Sequence, residues 1–270
     1  MLYNIRMQPT TKMLLELIKF RSLMNVSLSK DKVKYIWGKK FLKSLDKEIL
    51  EKLKEEKNQN VEVKIDIAKK GISKLMLFDW VKFVGISGSV AAGFVKDEDD
   101  IDIFVVVKDG TMWIYRAIVM FRNIYHKKIR VKKHKQVKNK LCLNLICEER
   151  GVEFENDIFN FHELMFLIPI YKKGYINNIY FKNKWLITDY GVKKELLRNK
   201  LVHAKKIIFP VRVINTLSFW AQLLFMEVAK HNPDKKRLVE NSKKGRIEFF
   251  EHDYRKKRLS NYSKEFKSTS

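Results

Sequence analysis

The residues best suited to chemistry in this sequence are two aspartates separated by one apolar residue. Asp100 and Asp102 flank Ile101 at the start of an apolar run. Because the side chains of a strand alternate between its two faces, both carboxylates are expected on one face. Two carboxylates on one face suit a divalent cation, which prefers oxygen ligands.

A Gly-Ser pair precedes the aspartates, with ten residues between Ser89 and Asp100. Gly88 and Ser89 end an earlier apolar run, and Val90 can begin a short helix. The first backbone N–H groups of a helix have no partner within the helix and carry partial positive charge. This turn is therefore expected to hold an anion such as phosphate, at a distance where a metal can bridge it to the aspartates.

Short apolar runs carry these residues and predict buried strands, because each is too short for a buried helix and is bounded by turn-forming or charged residues. The runs are Val81 to Ile86, Ile101 to Val107 and Leu141 to Cys147. Apolar residues at helical spacing predict helices around them. The predicted helices cover residues 10–24, a segment that begins after residue 29, and residues 40–56, 61–77, 112–125, 158–168, 192–205, 211–230 and 243–254.

The pattern of Gly-Ser, ten residues and then Asp-hydrophobic-Asp-hydrophobic resembles the signature of the polymerase-β-like nucleotidyltransferase superfamily. The same stretch looks like the stand-alone bacterial proteins that carry a nucleotidyltransferase domain. The resemblance implies a mixed sheet with flanking helices, with Gly88 and Ser89 holding the phosphates of a nucleoside triphosphate. It also implies that Asp100 and Asp102 bind Mg²⁺ or Mn²⁺.

The third predicted strand departs from the pattern that the resemblance implies. In the superfamily a third carboxylate lies on such a strand and completes the metal site. This chain has Asn144 where that acid is expected. An amide oxygen can bind Mg²⁺, but it adds no charge and cannot act as a general base. Strand alternation predicts that Asn144 shares a face with Cys142 and Ile146, opposite Leu143 and Leu145.

The two cysteines, Cys142 and Cys147, lie in that same run. Their separation of five predicts opposite faces of the strand, so no disulfide between them is expected. We expect small buried residues in a reducing cytoplasm. The N-terminal residues lack the pattern of an export signal, and the apolar run Val211 to Ala229 contains polar residues, so a core helix is expected there and not a membrane span.

The expected fold class is α/β (α+β), a nucleotidyltransferase-type mixed sheet with flanking helices. Residues 1–60 are predicted to form an N-terminal helical segment and residues 61–155 the nucleotidyltransferase core. Residues 156–270 are predicted to form a C-terminal helical domain. Its basic tail, Arg255 to Ser270, is expected to fray.

The net charge of +25 at pH 7 favours polyanions as partners. The excess is mostly lysine in a chain rich in isoleucine and asparagine, so an AT-biased genome explains it equally well. The segment Lys127 to Lys140 is strongly basic, which is typical of a solvated loop. It is also a candidate site for triphosphate or RNA.

These features predict a metal-dependent nucleotidyltransferase that moves a nucleoside monophosphate from a nucleoside triphosphate to a hydroxyl group of RNA, a small molecule or a protein. The alternative is a catalytically weakened nucleotide- or RNA-binding protein of the same fold, which Asn144 favours. The sequence lacks a Gly-x-x-x-x-Gly-Lys phosphate loop and a nucleophile elbow.

Overall fold

The structure of the chain is a computed structural model. It describes residues 9–54, 58–75, 78–126, 129, 137–197, 209–228, 234–248 and 252–266. Most of the basic segment 127–140 lies outside these residues, as does part of the predicted helix 192–205.

A mixed β-sheet forms the centre of the molecule. Its strands in the described residues are β1 (Val81–Ile86), β2 (Ile101–Val107), β3 (Leu141–Glu148), β4 (Ile168–Tyr171) and β5 (Arg246–Glu248). They lie in the spatial order β4-β1-β2-β3-β5. β2 and β3 are parallel, whereas every other neighbouring pair is antiparallel. The expected mixed α/β class is confirmed.

Helices surround this sheet. They are α1 (Pro9–Ser22), α2 (Lys30–Trp37), α3 (Lys39–Lys43), α4 (Lys47–Lys52), α5 (Gln59–Gly71), α6 (Gly88–Ala92), α7 (Met112–His126), α8 (Ile158–Phe166), α9 (Ile176–Lys182), α10 (Trp185–Thr188), α11 (Phe209–Val228), α12 (Lys235–Lys243) and α13 (His252–Phe266).

Side chains that cap exposed N–H groups explain where two of the helices begin. The Ser29 hydroxyl accepts a hydrogen bond from the Lys32 N–H at the start of α2, at 3.1 Å. The Asp157 carboxylate accepts one from the Asn160 N–H at the start of α8, at 2.8 Å. Each cap satisfies a backbone donor that has no partner within its helix.

The two faces of the sheet are buried in separate cores. On the first face, Phe83, Phe104 and Cys147 pack with residues of α1, α2, α8 and α9. On the second face, Ile103 and Ile146 pack with residues of α5, α7, α11 and α12. The sheet is thus a layer between two sets of helices, and its central strands are apolar on both sides, as is usual for strands covered on both faces.

The predicted bounds of β1 and β2 agree with the structure residue for residue, and β3 extends one residue further. The sequence pattern missed both edge strands. β4 lies at the end of the predicted helix 158–168 and pairs with β1, while β5 lies inside the predicted helix 243–254 and pairs with β3. The last described helix is α13, so the prediction that the tail frays is wrong for residues 255–266.

The long helix α11 is amphipathic and is not the core helix that its composition predicted. Phe219, Leu223 and Met226 face α7 and the second core. The opposite side carries exposed apolar residues, among them Leu217 and Trp220. No helix within the described ranges is long and apolar enough to cross a membrane.

The part of the chain after residue 155 supplies both edge strands of the sheet, β4 and β5. The division into domains at residues 60 and 155 stays a prediction.

The buried residue Lys64 of α5 ties together the loops that lead into β2 and β3. Its Nζ donates hydrogen bonds to the carbonyls of Asp97 and Asp99, at 3.0 and 2.7 Å, and to Asn139 Oδ1 at 3.0 Å. The residue is 1% exposed. Burial lowers the pKa of the Lys64 ammonium, while the carboxylates of Asp99 and Asp97 act in the opposite direction. The two loops are therefore held side by side before their strands begin.

We predict that Lys64→Met destabilises the protein. The substitution keeps the apolar stem but removes three hydrogen bonds to partly buried acceptors, and each such loss costs about 0.5–1.5 kcal/mol. A decrease of about 2–4 kcal/mol in the free energy of unfolding in urea is expected. Lys69→Met on the same helix is the control, because Lys69 has a side chain that is 57% exposed. It should change stability by less than about 0.5 kcal/mol, and equal effects of both substitutions would contradict the anchoring role.

Candidate metal centre and phosphate-binding turn

The residues predicted to do chemistry meet at one edge of the sheet. β1 ends at Ile86, and the antiparallel strand β2 begins beside that point at Ile101. β3 runs parallel to β2 and begins at the same edge, with Leu141 opposite Ile101. The turn after β1 and the first residues of β2 and β3 therefore lie together, as the resemblance implied.

Gly88 and Asp102 are in direct contact at this edge. The φ angle of Gly88 is +63°, and a Cβ atom at this position would lie only 2.2 Å from Oδ2 of Asp102. The Ser87 N–H also donates to the main-chain carbonyl of Asp102, at 3.0 Å. Only glycine combines this backbone conformation with room for the carboxylate. The Gly-Ser turn and the second aspartate are thus one local unit.

Gly88 and Ser89 are the first two residues of α6, and both are half-buried. The helix is a single short turn that ends at Ala92, and Gly93 follows it in the left-handed conformation. Its opening N–H groups are those that the sequence analysis assigned to phosphate. That assignment stays a prediction.

Cys142 completes the cluster of possible metal ligands. It pairs directly with Asp102 across the parallel strands, so both side chains lie on the first face of the sheet. The candidate ligand atoms of Asp100, Asp102 and Cys142 all lie within 4.8 Å of one another, and the three residues are half-buried. Two carboxylates and a thiol are a donor set that fits a divalent cation.

Asn144 occupies a different position from the one that alternation predicted. The pairing of β2 with β3 shifts by one residue after Ile103 and Leu143, and Asn144 is the extra residue, which pairs with no residue of β2. A bulge of this kind reverses the alternation beyond it. Leu145 therefore lies on the same face as Cys142, and Ile146 lies on the opposite face. The faces predicted for Leu145 and Ile146 are wrong.

The same bulge corrects the prediction for the two cysteines. Cys142 pairs with Asp102 and Cys147 pairs with Val106, and these partners are an even number of residues apart. Both cysteines therefore lie on the first face of the sheet. Neither of them is part of a disulfide bond. Cys147 is fully buried, which raises the pKa of its thiol.

A buried arginine holds the other end of α6. Arg21 is 5% exposed. Its Nη2 donates to the carbonyl of Ala92 at 3.0 Å and to that of Ser27 at 2.7 Å, while Nη1 lies 3.0 Å from Nε2 of His162. A cation near the last carbonyl groups of a helix is stabilising. α6 is therefore fixed between Asp102 at its first residue and Arg21 at its last.

The C-terminal helix α13 also lies near the centre. The guanidinium carbon of Arg258 is 5.0 Å from the ring centroid of Tyr254 and 6.0 Å from that of Phe94. Burial raises the pKa of the Tyr254 hydroxyl, and the charges of Glu163 and Asp102 add to this rise against the effect of Arg258. The phenol of Tyr254 thus lies within electrostatic reach of Asp102.

An open depression of about 690 Å³ lies beside the end of α6 and not over the carboxylates. It is lined by residues that include Asn25, Asn58, Asn60, Gly93 and Phe94. Asn58 donates from Nδ2 to the carbonyls of Gly93 and Val95, at 3.3 and 3.2 Å. The depression therefore borders the turn that carries Gly88 without including the candidate ligands.

No family model, no curated protein and no solved structure matches this chain. The resemblance to the nucleotidyltransferase superfamily therefore depends on the Gly-Ser and Asp-x-Asp residues alone.

Sequence reasoning missed three contributors to this centre. Cys142 carried a usable signal, since it is a metal-ligating residue at the start of the third predicted strand. Lys64 and Arg21 carried none, because a buried cation on an amphipathic helix has the same local pattern as an exposed one. Their roles depend on contacts with residues far away in the sequence.

We predict that Gly88→Ala and Gly93→Ala have different effects on metal binding. Comparing them distinguishes the effect of the contact with Asp102 from the effect of a strained backbone. Both glycines have positive φ, at +63° and +95°, but an added Cβ meets a neighbour within 4 Å only at Gly88. Each substitution is expected to cost about 1–2 kcal/mol in unfolding free energy for the left-handed conformation. Only Gly88→Ala should also displace the Asp102 carboxylate and weaken divalent-cation binding measured by calorimetry. Binding by Gly88→Ala as tight as that by Gly93→Ala would contradict this geometry.

Proposed function

We propose that this chain is a metal-dependent nucleotidyltransferase that transfers a nucleoside monophosphate from a nucleoside triphosphate to a hydroxyl acceptor. The observation that carries the proposal is the contact of Asp102 with Gly88, beside Asp100, at the edge where β1 ends and β2 begins. The sequence motif predicted that these residues would meet. A cluster of carboxylates next to a glycine turn is the arrangement that phosphoryl-group transfer needs, since its transition state carries negative charge on several oxygens.

In this proposal each residue has a defined task. Asp100 and Asp102 hold a divalent cation, Mg²⁺ or Mn²⁺, and Gly88 and Ser89 offer backbone N–H groups and one hydroxyl to the triphosphate. When bound, the cation neutralises charge on the phosphates and on the departing pyrophosphate. The chain supplies positioning, because Lys64 and Arg21 hold the two ends of this arrangement through hydrogen bonds to main-chain carbonyls. Fixed geometry of this kind lowers the entropic part of the barrier.

The acceptor is a hydroxyl group of RNA, a small molecule or a protein. The net charge of +25 supports RNA, because polyanions release counterions when they bind a basic surface. The strongly basic segment Lys127 to Lys140 is the candidate contact for RNA.

A second candidate function is that of a catalytically weakened nucleotide- or RNA-binding protein of the same fold. It is favoured by the third strand, where the chain offers Asn144 and Cys142 instead of a carboxylate. Neither an amide nor a thiol replaces a carboxylate as general base without loss, and general-base assistance is worth about 10²–10⁴-fold in rate. Transfer of labelled nucleotide distinguishes the two candidates.

We predict that a nucleoside triphosphate with Mg²⁺ or Mn²⁺ raises the melting temperature and that Asp100→Asn abolishes the shift. A ligand at about 100 times its dissociation constant stabilises the folded state by about 2.7 kcal/mol. Asp97→Asn is the matched control, because Asp97 lies in the same loop, is 59% exposed at its side chain and pairs with Lys138. Its shift should equal that of the wild type, and a shift preserved in Asp100→Asn would place the cation elsewhere.

The same purified proteins are then incubated with each labelled triphosphate and total RNA, and the molecule that receives the label identifies the reaction. Label on RNA identifies a nucleotidyltransferase that acts on RNA, and label on the protein identifies self-modification or a protein acceptor. Binding without any transfer of label favours the second candidate. No melting shift and no transfer with any triphosphate would reject the nucleotidyltransferase and the nucleotide-binding form of the second candidate, and would leave only its RNA-binding form.

A further inference from the structure

We infer that Cys142 is the third ligand of the metal centre and that the centre therefore prefers a borderline transition-metal cation such as Zn²⁺ or Co²⁺ over Mg²⁺. This inference rests on the proposed function for the existence of a metal centre at Asp100 and Asp102. It goes further by naming the third ligand and the class of cation.

The distances between the three possible ligand atoms fit a single cation. Ligands of one cation lie within about 4.6 Å of each other, which is twice the longest zinc–ligand bond of about 2.3 Å. The ligand atoms of Asp100, Asp102 and Cys142 lie within 4.8 Å of one another. A small rotation of the side chains is enough to close the three atoms on one ion.

The second support is the register of the strands. Cys142 lies directly opposite Asp102 in a parallel pair, and the bulge at Asn144 begins only after this point. Paired residues of neighbouring strands point to the same face. The backbone that sets the thiol beside the carboxylate is fixed on one side by Lys64, which holds the loops before both strands.

The third support is the chemistry of the donors. Mg²⁺ takes oxygen ligands in strict octahedral geometry and binds sulfur poorly. Thiolate is a soft ligand that favours Zn²⁺ and related transition metals. Binding displaces the thiol proton to solvent, so the site loses one proton when the cation enters. A centre with two carboxylates and one thiolate matches a transition-metal cation better than it matches Mg²⁺.

The test is a titration of the metal-free full-length protein with Co²⁺, followed by absorption. A thiolate bound to Co²⁺ gives an intense near-ultraviolet charge-transfer band that an all-oxygen site lacks. We expect the band in the wild type, its loss in Cys142→Ser and in Asp102→Asn, and its retention in Cys147→Ser. Cys147 is the matched control, since these two are the cysteines of the chain and both lie on β3.

Each result bears on the inference. Co²⁺ binding with d–d bands but no charge-transfer band overturns the role of Cys142 while leaving the carboxylate centre in place. A band that survives in Cys142→Ser but not in Cys147→Ser overturns it as well. Absence of any Co²⁺ binding overturns the inference, whereas the metal centre of the proposed function is tested separately by the melting shift with a triphosphate and Mg²⁺ or Mn²⁺.

A pair of acid substitutions separates Cys142 from Asn144. Cys142→Asp should supply the missing third carboxylate and tighten Mg²⁺ binding, measured by calorimetry, whereas Asn144→Asp at the bulge should leave it near the wild-type value. Tighter Mg²⁺ binding in Asn144→Asp alone would assign the third position to Asn144 and overturn the inference. Far-ultraviolet circular dichroism confirms that both variants are folded.

An independent observation concerns the exposed face of α11, and its geometry points to an antiparallel pair of α11 helices that joins two copies of the chain. The inner face of α11 is already fixed to α7. Asn215 Oδ1 accepts from the N–H of Trp113 at 2.9 Å, and Gln222 Nε2 donates to the Trp113 carbonyl at 2.8 Å. The outer face of α11, which includes the exposed residues Leu217, Trp220 and Leu224, is therefore the side that can contact a second copy.

The outer face is large enough for a stable interface. Eight large apolar side chains of α11 are 42 to 76% exposed. With about 100 Å² from each, they amount to ~800 Å², which is the share of one partner in a standard interface. The largest apolar patch of a typical monomer is only about 300–600 Å².

The spacing along this face is self-complementary. Val213, Leu217, Trp220 and Leu224 follow one another at intervals of four, three and four residues, which is the seam of a coiled coil. In an antiparallel pair, Val213 of one copy lies opposite Leu224 of the other, and Leu217 lies opposite Trp220. The contact is then the same for both copies, as a two-fold axis requires.

Charge also favours the antiparallel arrangement. The charged residues of α11 are Arg212 near its start and Glu227 near its end. An antiparallel pair brings Arg212 of one copy toward the acidic end of the other, although Glu227 also pairs with Lys235 of its own chain. A parallel pair would place like charges together, which is destabilising.

Sedimentation equilibrium of the full-length protein tests the pair. We expect a dimer in the wild type and a monomer in Leu217→Glu, which alters an exposed side chain and should keep the fold. Val63→Glu is the matched control, because Val63 is an exposed apolar residue on α5, 56% accessible, and its substitution should leave the dimer intact. A monomeric wild type, a wild type that instead binds anionic vesicles through α11, or a dimer that persists in Leu217→Glu would overturn this inference.

Discussion

The parallel pairing of β2 with β3 is the constraint on which the candidate site depends. It joins segments that are forty residues apart in sequence, Ile101 and Leu141, and it begins where Lys64 holds the two preceding loops together. A parallel pair has no tight turn to set its register, so the register must come from such contacts. Because Asp102 and Cys142 are opposite each other in this pairing, the position of the thiol beside the carboxylates follows from it.

The helix α6 is the second fixed part of the site, and it is held by opposite charges at its two ends. The carboxylate of Asp102 lies against Gly88, and the guanidinium of Arg21 lies against the carbonyl of Ala92. Both charges have the sign that the dipole of a helix favours at that end. Arg21 is buried, so its hydrogen bonds to carbonyl groups and His162 must offset the cost of removing a cation from water. The turn is thus held at both ends by contacts within the chain.

The cluster brings three possible metal ligands together at one edge of the sheet. The ligand atoms of Asp100, Asp102 and Cys142 lie within 4.8 Å of one another. The scaffold sets them there through strand alternation and register, which are stabilised by the apolar cores on both faces of the sheet. Two carboxylates and a thiol are ligands that a divalent cation accepts, which is why such a grouping supports a metal-binding function.

The sequence by itself determined the local parts of this protein. β-Branched apolar runs bounded by turn residues predicted the limits of β1 and β2. The Asp-x-Asp alternation predicted that both carboxylates lie together, and Asp102 is the one that contacts Gly88. Both patterns act within a few residues of the chain. Only the tertiary structure decided the rest. The bulge at Asn144 exists only when β3 pairs with β2, so alternation counted along one strand assigned Ile146 and Cys147 to the wrong faces. The short edge strands β4 and β5 take their hydrogen bonds from β1 and β3, and that pairing overrides the helical pattern of their own residues.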